Sequence, residues 1–220
     1  MRNSFTSMLL SGSQHVVQAA NDRAVLLVGN HTCWWDSMVI FWLSYAHFKL
    51  DGHAMMDARN LRKLPFLGKI GAYGVEIGDR EDGERAIEYG ASLLDRARRM
   101  VLVFPQGRER PITVRPLGFY RGAAEIARRC PEVAVIPFAL RYEFGASEQP
   151  YLYASFGAPM AWQDDTELLR ASQEAAVTGL LDEIDKALCE RNQGDFTPLF
   201  TRNSGMAETA TQMLSWFTRG

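Results

Sequence analysis

Apolar and polar residues follow two different periods along this chain. AVLLVGN from Ala24, which is apolar and β-branched, and MVLVFP from Met100 predict buried strands. Further strands are predicted at HAMMDA from His53, at VEI up to Gly78 and at the apolar segment EVAVIPFAL from Glu132. The segment YLYASFG from Tyr151 alternates between apolar and polar residues, which predicts an outer strand.

Segments with a helical pattern lie between these strands. It predicts helices at 34–48, at 82–99, at GFYRGAAEIARR from Gly118 and at 164–192, with a short final helix from Met206. The helix at 82–99 is expected to carry acids early and Arg96, Arg98 and Arg99 late, as the helix dipole favours. Strands that alternate with helices predict an α/β fold with a mixed, mostly parallel central sheet flanked by helices.

Length and composition narrow the class of protein. At 220 residues we expect a single domain over 1–220, with a helical C-terminal part at about 164–220. A net charge of -2 and a pI of about 6.1 argue against nucleic acid as a partner. The longest apolar runs, MVIFWL and VAVIPFAL, are too short to cross a membrane. Cys33, Cys130 and Cys189 form no CxxC pair, which favours a reducing, cytoplasmic location without a disulfide framework or a metal site.

His31 and Asp36 are the candidate catalytic residues. The predicted strand from Ala24 ends just before His31, and Asp36 falls in the first turn of the next helix, so the pair spans a strand-to-helix turn. A carboxylate that holds a histidine makes a general base for neutral pH. The spacing alone is also compatible with a structural histidine in the core, so its meaning depends on the rest of the sequence.

Four segments in order supply that context: NHTCWWD, LPFLGKIGAYGVEIGDR, VFPQGRER and VIPFAL. They resemble the four sequence blocks of the glycerophosphate and lysophosphatidate acyltransferase superfamily, and the resemblance spans about 24–157. It implies the α/β fold of glycerol-3-phosphate acyltransferases and an enzyme of phospholipid biosynthesis. That enzyme would move a fatty acyl group from acyl-CoA or an acyl carrier protein to a lipid hydroxyl, without a cofactor or metal.

The resemblance also implies roles for individual residues. His31 is the expected base and Asp36 the acid that orients it, while Arg80 is expected to hold the acceptor's phosphate. The third block contributes Gln106 and Gly107 to substrate binding, with backbone amides around Gly107 as oxyanion donors. The remaining matches are Phe104 and Pro105 in the third block, Pro137 in the fourth as a further substrate-binding candidate, and the Arg121–Gly122 pair.

The third block departs from the family pattern at two positions. Gln106 stands where the family usually has glutamate, and Glu109 stands where it usually has a phosphate-binding arginine. Arg108 and Arg110 flank Glu109, and either could hold a phosphate in its place. The alternative is an acceptor without phosphate, such as a glycosylated or hydroxylated lipid, for example a carotenoid glycoside.

Other functions and contacts remain open at this point. A thioesterase or lipid hydrolase would use the same base on water, and an inactive lipid-binding subunit would use neither residue. Cys33 invites a covalent mechanism, but small packing cysteines are more common. Peripheral attachment to the inner face of the membrane is expected. The aromatic residues Trp34, Trp35, Phe41 and Trp42 are candidates for an acyl groove or a lipid contact, with core packing as the more common alternative. A basic patch formed by Arg59, Arg62, Lys63 and Lys69 is either a site for anionic headgroups or carrier phosphates or an ordinary solvated surface.

Overall fold

The computed structural model describes residues 4–145, 147–191 and 194–201, and these build one mixed sheet between two layers of helices. The strands are β1 (Ser7–Ser11), β2 (Val25–Gly29), β3 (Asp51–Asp57), β4 (Ala72–Val75), β5 (Arg99–Val103), β6 (Ala134–Glu143), β7 (Tyr151–Phe156) and β8 (Thr197–Thr201). The α-helices are α1 (Ser13–Ala20), α2 (Trp35–Trp42), α3 (Ala58–Lys63), α4 (Arg80–Leu93), α5 (Gly122–Arg129) and α6 (Thr166–Cys189). A π-helical turn, Leu43–Phe48, continues α2, and a 3₁₀ helix, Pro65–Ile70, follows α3.

The eight strands lie in the order β4-β3-β5-β2-β6-β7-β1-β8. The first five are mutually parallel, so their carboxyl ends meet at one edge of the sheet. Strands β7 and β1 run in the opposite direction, and β8 turns back again. The predicted α/β fold with a mixed, mostly parallel sheet is confirmed.

Strand β2 occupies the middle of the sheet because both of its faces are apolar. Val25 and Leu27 pack with α1 and α2 on one side, while Leu26 and Val28 pack with α5 and α6 on the other. All four side chains are fully buried. A strand covered on both faces has no polar alternation, which is the pattern that the sequence shows.

Two predicted boundaries are wrong. The helix at 82–99 ends at Leu93, and Arg99 instead begins β5, opposite Asp51 of β3. Arg96 and Arg99 bind the Asp51 carboxylate, so this ion pair, and not the helix dipole, explains their position. The short strand lies at Ala72–Val75, earlier than the predicted VEI segment.

The C-terminal half also differs from expectation. Strand β7 is internal, because β1 and β8 extend the sheet beyond it, and its residues after Tyr151 are buried. The region expected to be helical contains α6 but also strand β8. The final helix predicted from Met206 lies outside the described residues.

Candidate active site

The end of β2 is fixed in place before the chain reaches His31. The Asn30 amide makes two hydrogen bonds with the backbone of Leu140 on β6, accepting from its N–H at 2.8 Å and donating to its carbonyl at 3.0 Å. Gly29 leaves room for Phe138, since a Cβ at this position would lie 2.3 Å from the phenyl ring. These contacts lock β2 to β6 and place His31 at the edge where the parallel strands end.

His31 and Asp36 are in direct contact, as the sequence predicts. The Nδ1 atom of His31 lies 2.8 Å from Oδ2 of Asp36, and the Asp36 side chain is fully buried. The same oxygen accepts the backbone N–H groups of Thr32 at 2.5 Å and Cys33 at 2.9 Å. One carboxylate oxygen therefore contacts three nitrogen atoms of the turn that precedes α2, and these contacts fix the orientation of Asp36 relative to His31.

Tyr142 also contacts Asp36, and the sequence did not predict this contact. Its hydroxyl donates to Oδ1 of Asp36 at 2.7 Å from the carboxyl end of β6. Burial raises the pKa of Tyr142 far above its usual range, and the charge of Asp36 raises it further. The phenol therefore stays protonated and acts as the donor.

The imidazole of His31 is oriented by stacking as well as by hydrogen bonding. Its ring lies on that of Phe104, with centroids 4.5 Å apart and an angle of 17° between the planes. The His31 side chain is 18% exposed, and no described residue makes a hydrogen bond with its Nε2 atom. With Nδ1 bound to Asp36, the network assigns Nε2 as the atom that can accept a proton from a substrate.

Gln106 lies behind the histidine and is almost fully buried, with 2% of its surface exposed. Its Oε1 atom accepts the backbone N–H of His31 at 2.6 Å, and its Nε2 donates to the carbonyl of Leu117 at 3.3 Å. Both polar atoms of its amide thus have a partner within the protein, and the role of Gln106 in substrate binding stays a prediction. It joins the end of β2 to the loop after β5.

Gly107 begins that loop in a tight turn. Its φ of +66° suits glycine, and its N–H donates to the carbonyl of Phe104 at 3.1 Å. This N–H is thus occupied, so the neighbouring amides are the remaining candidates among the predicted oxyanion donors around Gly107. The backbone N–H groups of Arg108 and Glu109 have no acceptor among the described residues, whereas that of Arg110 donates to the His31 carbonyl at 2.9 Å.

The candidate phosphate-binding arginines differ in their surroundings. Arg110 is half-buried, its Nε atom is buried without a partner, and its guanidinium forms no ion pair with a described residue. The guanidinium lies against Gly118, where an added Cβ would be 2.9 Å from Nη1. Arg108 is exposed and also unpaired within the described part of the chain.

Two other predicted substrate contacts lie farther from His31. Arg80 is exposed at the first residue of α4. It follows β4, which is separated from β2 by two strands, so the two strand axes are about 14 Å apart. Pro137 is buried within β6 beside Val28 and packs against Gly157, which gives it a packing role and no free surface for a substrate.

The remaining polar candidates have ordinary explanations. Burial raises the pKa of the Cys33 thiol, and the nearby Asp36 charge raises it further, so Cys33 is a poor nucleophile at neutral pH. Within the predicted basic patch, Arg59 pairs with Asp57 and Arg62 with Glu76. This leaves less free positive charge there than the sequence suggests.

Comparison with known proteins identifies the family. The family model described as Acyltransferase matches residues 10–141, which is more than half of the chain and includes His31, Asp36 and the loop after β5. The chain belongs to this acyltransferase family. The predicted family is therefore confirmed, and with it the predicted class of enzyme. The donor, the acceptor and the roles of single residues in this acyltransferase stay predictions.

Other comparisons add little to this assignment. The crystal structure of the pilus retraction motor PilT with bound ADP is 11% identical, with a TM-score of 0.39. The match covers 86% of the acyltransferase and 63% of the PilT chain, so the acyltransferase spans less than two thirds of that structure. This likeness is too weak to carry an argument. No curated protein matches the sequence. Among the described helices, none has the length and apolar character needed to span a membrane.

Proposed function

We propose that this acyltransferase moves a fatty acyl group from a thioester, on coenzyme A or an acyl carrier protein, to the hydroxyl of a lipid. The observation that carries the proposal is the buried Asp36 carboxylate, which holds Nδ1 of His31 at 2.8 Å and leaves Nε2 available. A histidine held in this way is a general base for a hydroxyl group.

In the proposed reaction, Nε2 of His31 takes the proton of the acceptor hydroxyl as its oxygen attacks the thioester carbonyl. The tetrahedral intermediate then collapses, the C–S bond breaks, and the new ester is released. The thiolate leaves with the electron pair of that bond, and the proton on His31 returns to it or to solvent. The protonated thiol of Cys33 supports direct transfer without an acyl-enzyme.

The loop after β5 offers donors for the intermediate's oxyanion. The N–H groups of Arg108 and Glu109 have no acceptor in the described chain, and the next amide, that of Arg110, is bound to the carbonyl of His31. These two amides therefore belong to a loop that is tied directly to the base. Removal of one oxyanion donor typically costs about 10² to 10³ in rate.

A phosphate-bearing acceptor of the lysophosphatidate type is favoured by Arg110. A half-buried guanidinium without a carboxylate partner is costly unless an anion binds it, and Arg110 lies on the loop attached to His31. Gln106, which had suggested a sugar or another neutral acceptor, is fully used within the protein. Arg108, which is exposed on the same loop, adds positive charge there.

The edge of the sheet that carries His31 is proposed to face a lipid surface. Each connection that leaves β2, β4, β5 and β6 at this edge has an exposed apolar side chain: Trp34, Ile77, Tyr120 and Phe144. Amphipathic aromatic residues suit the boundary between water and lipid. Peripheral association with the inner face of the cytoplasmic membrane would then bring the acceptor to the base.

The experiment is to incubate the purified protein with a labelled acyl-CoA or acyl carrier protein thioester and with paired acceptors. Lysophosphatidate and monoacylglycerol of the same chain length form the pair, since they differ only in the phosphate. Mass spectrometry is expected to find the acylated phosphate lipid. Release of free fatty acid without any acceptor would instead identify a thioesterase, and acylation of the neutral or a glycosylated lipid alone would overturn the phosphate assignment.

A further inference from the structure

The two oxygens of the Asp36 carboxylate are held from different parts of the chain. Oδ2 contacts three donors that lie within five residues of Asp36: His31 Nδ1 and the N–H groups of Thr32 and Cys33. Oδ1 has one close donor, the phenol of Tyr142, which is 106 residues away in the sequence. Two more distant donors to Oδ1 are the Thr32 hydroxyl at 3.4 Å and the Cys33 thiol at 3.8 Å.

Tyr142 comes from a strand that is distant in sequence from the segment that carries the base. It belongs to β6, and its ring stacks on Phe5 with centroids 6.0 Å apart and an interplanar angle of 30°. Phe5 is fully buried and also contacts Trp35 of α2 edge-on at 5.3 Å. The strand and this aromatic packing therefore fix the direction from which the phenol approaches Asp36.

We propose that Tyr142 is a positioning residue that sets the basicity of His31 through Asp36. The inference rests on the proposed role of His31 as the base. A strong donor on Oδ1 spreads the negative charge of the carboxylate, so that Asp36 orients the imidazole without drawing a proton onto it. The Nε2 atom of His31 is thereby kept available to accept the proton of a substrate hydroxyl.

Among the described residues, the titratable groups that contact His31 or its carboxylate partner are Asp36, Cys33 and Tyr142. The loop that binds the His31 carbonyl carries the charged residues Arg108, Glu109 and Arg110. Tyr142→Phe removes only the hydroxyl and keeps the ring against Phe5. Tyr73→Phe is the matched control, because the buried hydroxyl of Tyr73 has no hydrogen-bond partner among the described residues and Tyr73 lies on the edge strand β4.

The pKa of His31 should be measured by NMR titration in the wild-type protein and in both variants. In Tyr142→Phe the uncompensated carboxylate should raise the His31 pKa by about half a unit, which is roughly a threefold change in the protonation equilibrium. The acid limb of the kcat/KM profile should move to higher pH by the same amount, so that the loss of activity shrinks as pH rises. Tyr73→Phe should change neither quantity.

An unchanged or lower His31 pKa in a folded Tyr142→Phe protein would overturn the proposal. So would a loss of activity that is equal at all pH values, since that is what a merely structural role predicts. The titration does not depend on turnover, so an inactive wild-type protein would contradict the proposed function and still leave the coupling between Tyr142 and His31 measurable.

Discussion

Within the described chain, the charge of Asp36 has hydrogen-bond partners in its pocket, whereas the charges of Arg108 and Arg110 in the loop after β5 have no ion-pair partner. At Asp36 the charge is buried and each oxygen accepts at least one hydrogen bond of 2.9 Å or less. In the loop, Arg108 and Arg110 have no ion-pair partner among the described residues, and two backbone N–H groups have no acceptor there. Both regions nevertheless touch His31, one through its side chain and the other through its backbone.

We infer that the pocket around Asp36 must be rigid before a substrate arrives, whereas the loop after β5 keeps groups free to bind a ligand. A general base works when its orientation is fixed before the substrate arrives, which requires a fully satisfied carboxylate. Groups that bind a phosphate or an oxyanion must instead keep donors free for it. Changes in the first region should therefore affect the chemical step, and changes in the second should mainly affect binding.

The largest effect is expected from Asp36→Asn. The amide can no longer hold His31 in the tautomer that exposes a basic Nε2, so kcat should fall by about 10³-fold or more. Steady-state kinetics of acyl transfer measure this, with thermal unfolding as the check that the variant is folded. A folded Asp36→Asn enzyme with near-normal kcat would remove the carboxylate from the mechanism.

Arg110→Ala should have the next largest effect. If Arg110 binds the acceptor's phosphate equally in the ground state and the transition state, KM for a phosphate-bearing acceptor should rise about 10- to 100-fold while kcat stays nearly constant. KM for the thioester donor is expected to change little. Arg108→Ala is the comparison variant, because this exposed side chain should contribute less than the half-buried Arg110. Equal effects of the two variants would argue that general positive charge, and not a defined site, holds the acceptor.

Two buried glutamines allow the comparison to be tested through the free energy of unfolding. Gln106 makes two hydrogen bonds that link His31 to Leu117, whereas Gln173 on α6 is fully buried and its amide has no partner within the described chain. Gln106→Leu leaves a donor and an acceptor unpaired and should lower the free energy of unfolding by about 2 kcal/mol. Gln173→Leu should be neutral or stabilising, because it removes an unsatisfied polar group. Urea unfolding of both variants checks this, and equal losses would show that Gln106 does not bridge the site as described.

The smallest effect is expected from Trp34, at the edge that is proposed to face lipid. Trp34 and Trp162 are 53% and 46% exposed, but only Trp34 lies at the edge that carries His31. Trp162 follows Met160, whose N–H binds Val135 near the start of β6. Trp34→Ala should weaken binding to anionic vesicles about threefold to tenfold, and Trp162→Ala should not. Co-sedimentation with vesicles measures both, and a greater loss for Trp162→Ala would point to a different lipid-facing surface.

The sequence predicts the local parts of this structure well. Strand β2 is apolar at every position, so its burial on both faces could be predicted directly. The contact between His31 and Asp36 spans one turn, and the spacing within NHTCWWD together with the order of the later blocks was enough to predict it. In both cases the interacting residues are neighbours along the chain.

Contacts between distant segments could not be predicted in the same way. Tyr142 reaches Asp36 across 106 residues, and nothing in the local pattern separates it from other strand tyrosines. Strand β7 alternates like an outer strand, but β1 from the start of the chain and β8 pair beyond it. Gln106 was expected to face a substrate because its family position suggests it, whereas the fold turns its amide toward His31 and Leu117. Tertiary pairing decides each of these positions.

The most direct test of the central claim is a single-turnover assay with the His31→Ala variant. Wild-type protein and variant are mixed with a labelled acyl thioester and lysophosphatidate, and the ester product and the free thiol are followed together. We expect stoichiometric ester from the wild type, while the folded variant binds both substrates but forms ester at least about 10³-fold more slowly. Ester formation at the wild-type rate in His31→Ala would contradict the assignment of His31 as the base.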